Sequence, residues 1–118
     1  MTESRPEIVD AGVEAAQKLL ASEADIHHAS RSLKAMAHPL RMKILCILGG
    51  VKEVSVQDLV GMVGTSQSNI SQHLSILRDK GILDSRKDAN KVYYRIGDER
   101  ILRLMESMRI AFCSTGSY

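Results

Sequence analysis

Residues Ser55 to Ile96 constrain the fold of this chain more than any other stretch, because two short helical patterns joined by a tight turn run straight into a basic hairpin pattern. Ser55 is placed to cap a helix, with Asp58 three residues on near the positive end of the helix dipole. Leu59, Val60 and Val63 give that helix a short apolar face. Gly64 ends it, since glycine takes the left-handed C-terminal conformation cheaply. Thr65 or Ser66 then caps a second helix, in which Ile70, Leu74 and Leu77 recur at spacings of four and three and form one buried stripe. Beyond it Ile82 and Leu83 begin a strand, Asp88-Ala89-Asn90 offers a turn, and Val92, Tyr94 and Ile96 alternate with Tyr93 and Arg95. Helix, turn, helix and cationic hairpin in that order predict a winged helix-turn-helix, a mainly α fold with a small β-hairpin.

The outer face of the second helix carries Gln67, Ser68, Asn69, Ser71, Gln72 and Ser75. Exposed helix faces ordinarily favour Glu, Lys and Ala, and this one instead crowds short polar side chains into its first turns. A recognition helix enters the major groove at that end. Gln and Asn pair in bidentate fashion with adenine, while Ser serves a base edge or a phosphate. An ordinary solvated face would also be polar, and the helix alone does not separate the two readings. The hairpin adds a second signal, because Arg86, Lys87 and Lys91 cluster around its turn, where they suit phosphate or the adjoining minor groove.

With 118 residues, 44% of them hydrophobic, the chain can bury one compact core and has little room for a large cofactor or an enzyme cleft, so no cofactor is expected. It has no apolar run near eighteen residues, and MTESRPEIVD is acidic and polar; neither a membrane span nor a secretory signal is read, and a cytoplasmic protein is expected. The net charge of +2 says little until it is divided along the chain. Residues 1–30 carry −4, residues 31–96 carry +6, and residues 97–118 balance. The basic excess coincides with the segment that suits DNA.

Residues 7–21 form an amphipathic helix pattern through Ile8, Val9, Val13, Ala16, Leu19 and Leu20, and a second pattern covers 25–37. Pro39 then opens a helix with Leu40, Ile44, Ile47 and Leu48 facing inward and Gly49-Gly50 ending it. A last helix runs from Asp98 to about Cys113, with Ile101, Met105, Met108 and Phe112 at spacings of four, three and four. So narrow a seam suits helix pairing between subunits, although core packing within one chain explains it as well. The expected organisation is a helical arm over 1–24 and a DNA-binding and dimerisation domain over 25–118. A homodimer through the first and last helices would set two recognition helices about 34 Å apart and favour a palindromic double-stranded operator.

The runs AMAHPLRMKILCIL, SVQDLVGMVGTSQSNISQHLSILRDKGIL and KVYYRI resemble the ArsR/SmtB family of bacterial winged-helix repressors over about residues 31–113. The resemblance implies a homodimer that leaves its operator when a metal or another chemical signal binds. It makes the hairpin the wing and directs attention to Gln67, Ser68, Ser71, Gln72 and His73. With the caps and cations around them, the expected DNA-facing set is completed by Ser66, Asn69, Arg78, Arg86, Lys87 and Lys91. Metal-sensing members use cysteines in the first helix of the helix-turn-helix, or Asp and His on the last helix. Here Val54 to Val60 has no cysteine and Ile101 to Phe112 no histidine. His27, His28, His38 and His73 form no chelating spacing, so no metal is expected.

Cys46 and Cys113 remain. Taken alone, Cys46 within LCIL reads as a small buried hydrophobe. The dithiol sensors of persulfides and oxidants within the family, the biofilm and sulfide-quinone-reductase repressors, carry a cysteine pair in these same two helices, matched here by Leu45-Cys46-Ile47-Leu48 and Ile110-Ala111-Phe112-Cys113. That resemblance implies a repressor released when reactive sulfur species or an oxidant crosslinks Cys46 and Cys113 through a disulfide or polysulfide. Cys113 lies at the negative end of a helix dipole, and Arg109 one turn earlier opposes that effect, which leaves the first attacking thiol open. A metal-responsive repressor using both cysteines and a histidine is one alternative. A redox-controlled activator that displaces a silencing protein is another. An enzyme of the thiol peroxidase type is not expected, since the chain has no C-x-x-C pair.

Overall fold

The computed structural model describes residues 6–19 and 22–113. These fall into two compact units that part between Leu33 and Lys34. The first is helical: it holds α1 (Pro6–Leu19), and α2 (Glu23–Met36) begins in it. Ser22 starts α2 by accepting the Asp25 amide at 3.2 Å, and Glu23 and Asp25 place negative charge at its positive end. Of the apolar seam expected over 7–21, Val13 is half exposed. Leu20 and the side chains of Ile8, Val9 and Leu19 lie outside the described residues.

The second unit continues with α3 (Pro39–Gly50), β1 (Val54–Ser55), α4 (Val56–Val63), α5 (Gln67–Asp79), β2 (Leu83–Asp88), β3 (Lys91–Ile96) and α6 (Glu99–Cys113). This is a winged helix-turn-helix with one strand more than expected. Val54 lies opposite Tyr94 and Ser55 opposite Tyr93, so β1 extends the β2–β3 hairpin into a three-stranded antiparallel sheet of order β1-β3-β2. A two-residue strand has no period to read. The hairpin itself runs in register from Leu83 opposite Ile96 to Asp88 opposite Lys91, and Ala89 turns it at φ 57°.

The helix boundaries follow from local capping. Ser55 ends β1 and caps α4 at once, its hydroxyl accepting the Asp58 amide at 3.1 Å. Gly64 closes α4 in the left-handed conformation at φ 82°. Ser66 rather than Thr65 caps α5, accepting the Asn69 amide at 3.1 Å, while the Thr65 hydroxyl accepts the Asn69 side chain. His38 caps α3 ahead of Pro39, with Nδ1 accepting the Leu40 amide at 3.1 Å.

Helix α3 ends at Gly50, as the glycine pair predicts, although the extended Val51 (φ −126°) makes the stop rather than a left-handed glycine. What the glycines permit is a close neighbour: a Cβ at Gly49 would stand 3.4 Å from the Met105 Cβ, and one at Gly50 3.2 Å from an Arg109 guanidinium nitrogen. The α6 helix thus packs hard against the end of α3.

One core organises this unit. Ile44, Leu45 and Leu48 of α3 meet Leu59 of α4, Ile70, Leu74 and Leu77 of α5, and Val54, Ile82, Leu83 and Tyr94 of the sheet region, with Ala35 and Met36 closing one side. Ile101 and Met105 of α6 belong to the same core, so half of the seam expected at a subunit boundary is buried in its own chain. Met108 packs at the edge of the core and Phe112 is 78% exposed, as are large parts of Leu104 and Ile110. No helix among the described residues is long and apolar enough to cross a membrane.

Two glycines of this region are expected to respond in opposite directions. Gly64→Ala forces an L residue into left-handed backbone and should destabilise the protein by about 1–2 kcal/mol. Gly61→Ala, inside α4 with open space around the added methyl, should stabilise it by about 0.5–1 kcal/mol. Urea denaturation midpoints of the two variants check this, and shifts of the same sign would contradict it.

Candidate functional site

Helix α5 presents its polar residues at graded depth. Gln67, Ser68 and Gln72 are exposed, whereas Asn69, Ser71, His73 and Ser75 are half buried. Ser66 and Asn69 are engaged in the cap just described. His73 is held from behind: its Nδ1 accepts the Arg41 Nε at 3.1 Å, Arg41 also donates to the Ala35 carbonyl at 2.9 Å, and the His38 ring lies 4.6 Å away. One guanidinium on α3 therefore ties the end of α2 to the middle of α5. Partial burial, then His38 and Arg41, holds His73 below the ordinary histidine pKa. Arg78, exposed near the end of α5, lies 3.9 Å from its neighbour Asp79.

The cations of the wing are not equivalent. Arg86 forms a fork with Glu53, Nε to Oε2 at 2.7 Å and Nη2 to Oε1 at 2.8 Å, and its guanidinium stands 4.6 Å over the Tyr93 ring. The carboxyl of Glu53 is pulled below its usual range by that hydrogen bond. Arg95 pairs with Asp84 at 3.6 Å. Lys87 and Lys91 are exposed and enter no ion pair among the described residues. Glu53 was not anticipated from sequence, since it meets Arg86 across 33 positions with no local pattern to announce it. Lys52, Arg78, Arg86 and Arg95, with Glu53 and Asp84, line an open cleft of about 630 Å³ between the end of α5 and the sheet.

On another side of the unit the two cysteines come together. Cys46 is half buried on α3, Cys113 is exposed at the end of α6, both are free thiols, and they are within hydrogen-bonding reach of one another. Burial pushes the Cys46 thiol up, Cys113 adds to the rise, and the positive charge of Arg109 opposes it. The pair opens into a shallow, mainly apolar groove of about 450 Å³. No histidine joins them: among the described residues no three of His, Cys, Asp and Glu gather, His38 and His73 lie against each other with their rings tilted by 40°, and His27 and His28 belong to α2.

A capped polar helix beside a three-stranded wing, on one core, defines a winged helix-turn-helix transcription regulator. Residues 38–85 match the model of the family described as bacterial regulatory protein, arsR family. The chain belongs to that family of DNA-binding regulators. It is 37% identical over 91 residues to the HTH-type transcriptional regulator YgaV of Escherichia coli, covering 77% of this chain and 92% of the relative. It is also 37% identical over 82 residues to the biofilm growth-associated repressor of Agrobacterium fabrum, covering 70% and 69%. Among solved structures, HlyU of Vibrio cholerae superposes with a TM-score of 0.75 at 36% identity, covering 78% of this chain and 99% of that one; the protein is described as a transcriptional activator.

The His73 environment sets a pH dependence. Its pKa is lower in the fold than in the unfolded chain, so the unfolded state takes up the proton first as pH falls below about 6.5. The stability present above that value is lost as pH falls toward the folded-state pKa. Protonation also removes the acceptor of Arg41. Urea titrations at pH 7.5 and 5.5 should show a smaller loss of stability in His73→Gln than in the wild type; equal losses would assign the effect to other groups.

Proposed function

We propose that the chain is a homodimeric repressor that binds a palindromic operator and releases it when Cys46 and Cys113 are joined through sulfur. The observation that carries this reading is the contact of the two thiols, which links α3 to α6. Two thiols held side by side turn the second step of crosslinking into an intramolecular one.

The chemistry is balanced with a persulfide as the only reactant. A cysteine thiolate attacks the outer sulfur of RSSH, forming Cys–S–SH and releasing RS⁻. The second thiol then attacks the inner sulfur of that group, giving Cys46–S–S–Cys113 and H₂S. If both cysteines are first persulfidated, loss of H₂S leaves a three-sulfur bridge. Cys113 is the better first attacker, being exposed, while burial disfavours the Cys46 thiolate.

For DNA, the exposed Ser68 and Gln72 are the base readers and Gln67 lies beside them, with Ser66, Asn69, Ser71 and His73 framing that surface. Lys87 and Lys91 contact phosphates directly. Arg78 and Arg86 join them by exchanging their carboxylate partners for phosphates. Leu104, Met108 and Phe112, four residues apart in turn, leave an apolar strip on α6 that a second copy would cover, and Val13 leaves apolar surface on α1 for the dimer contact of the first helix. A second reading, an activator that displaces a silencing protein, is favoured by one observation: a relative of this similarity is described as an activator.

Cys46→Ser and Cys113→Ser should each bind the operator like the reduced wild type and fail to release it after glutathione persulfide. Electrophoretic shifts run beside intact-mass spectra check this. Release by either variant would remove the crosslink from the mechanism. Gln72→Ala should lose about 1–3 kcal/mol of discrimination at one operator position, measured by binding to a set of single-base variants. Uniform weakening across the set would mean that Gln72 meets only phosphate.

A further inference from the structure

The groove that holds the thiols is lined by sulfur of a second kind. Met42 stands one helical turn before Cys46 on α3, Met108 shares α6 with Cys113, and Met62 reaches the groove from α4. Three of the six methionines of the chain are therefore gathered around its only two cysteines. Met62 is 57% exposed, although an apolar side chain so placed contributes little to the core.

Thiolates and thioethers are soft donors, and a set of two thiolates with neutral thioethers suits a soft monovalent cation. Zinc is served poorly here, since structural zinc takes four ligands from Cys, His and carboxylates, and no third such group joins the pair among the described residues. We infer that the groove between α3, α4 and α6 is a copper(I) site, with the Cys46 and Cys113 thiolates as its anchoring ligands and Met42, Met62 and Met108 supplying thioether sulfur. Binding is not a redox step: Cu⁺ displaces one proton from each thiol, and two protons leave for each ion bound. The bis-thiolate complex carries one negative charge, and the guanidinium of Arg109 lies close enough to act on Cys46. Copper(I) here consumes both thiols and blocks their reaction with sulfane sulfur. The site does not require the sulfur reaction to be physiological, because it rests on the donor set alone.

The test is a competition titration of the fully reduced, full-length protein with Cu(I) against the chromogenic chelator bathocuproine disulfonate, under anaerobic conditions. One Cu(I) per chain is expected in the wild type, with uptake lost in Cys46→Ser. The triple variant Met42→Leu, Met62→Leu, Met108→Leu keeps side-chain volume, and is expected to hold Cu(I) at least tenfold more weakly while still forming the Cys46–Cys113 bridge with glutathione persulfide. Unchanged affinity in the triple variant, or no stoichiometric uptake by the wild type, overturns the assignment. Copper K-edge absorption of the loaded wild type gives an answer independent of any variant. Three or more sulfur neighbours support the site, and two sulfurs alone, or any nitrogen neighbour, overturn it. Failure of the sulfur chemistry would appear separately, as unmodified thiols in the copper-free wild type.

Discussion

Helix α3 is apolar along most of its length, and the second unit closes around it: α4, α5, α6 and β3 all pack on it, and Ile44 and Leu45 have no solvent exposure at all, while Lys43 and the groove beside Cys46 stay open. Close packing also sets α6 beside Gly49 and Gly50, where a methyl at Gly49 would touch Met105 at ordinary contact distance and one at Gly50 would press on the Arg109 guanidinium. It also explains why the groups that matter chemically sit at the edges of α3, where polar and reactive atoms reach the surface. Arg41 leaves near its start toward His73, and Cys46 leaves from its middle toward Cys113.

What the sequence disclosed and what it hid divide along one line, the range of the interaction involved. Ser55, Gly64 and Ser66 could be read because a cap is made within three residues of itself. The stripe Ile70, Leu74, Leu77 could be read because its period is the helix's own. By contrast, Glu53 under Arg86, His38 beside His73, and the short β1 against β3 are contacts across long stretches of chain that no local pattern encodes. The seam on α6 shows the limit most plainly. Spacings of four, three and four are what a helix shows toward any apolar neighbour, and only the fold separates Ile101 and Met105, enclosed by their own chain, from Phe112, which is left outside.

Electrostatics on the wing follow the same division. Counting charges along the chain gives a basic segment, but in space Arg86 and Arg95 are already opposed by Glu53 and Asp84. The long-range field therefore depends more on Lys87 and Lys91 than on the arginines. The Glu53 fork has a different consequence. It ties β2 to the segment between α3 and β1, and Arg86 has to leave it before its guanidinium can pair with a phosphate.

On the proposed function, a bridge between Cys46 and Cys113 must alter DNA affinity through groups that do not touch either sulfur. Moving a two-state equilibrium from one side to the other takes a differential of a few kcal/mol, which a covalent restraint on two packed helices can supply. The restraint acts on α3 and α6, and α3 already reaches α5 by two routes, the shared core and the Arg41–His73 hydrogen bond. Packed protein cores do not deform by degrees; they hold one packing or adopt another. A change of α3 against α6 would accordingly shift α5 as a body rather than loosen it, and it is the placement of α5, more than its structure, that decides whether Ser68 and Gln72 meet the bases of a groove.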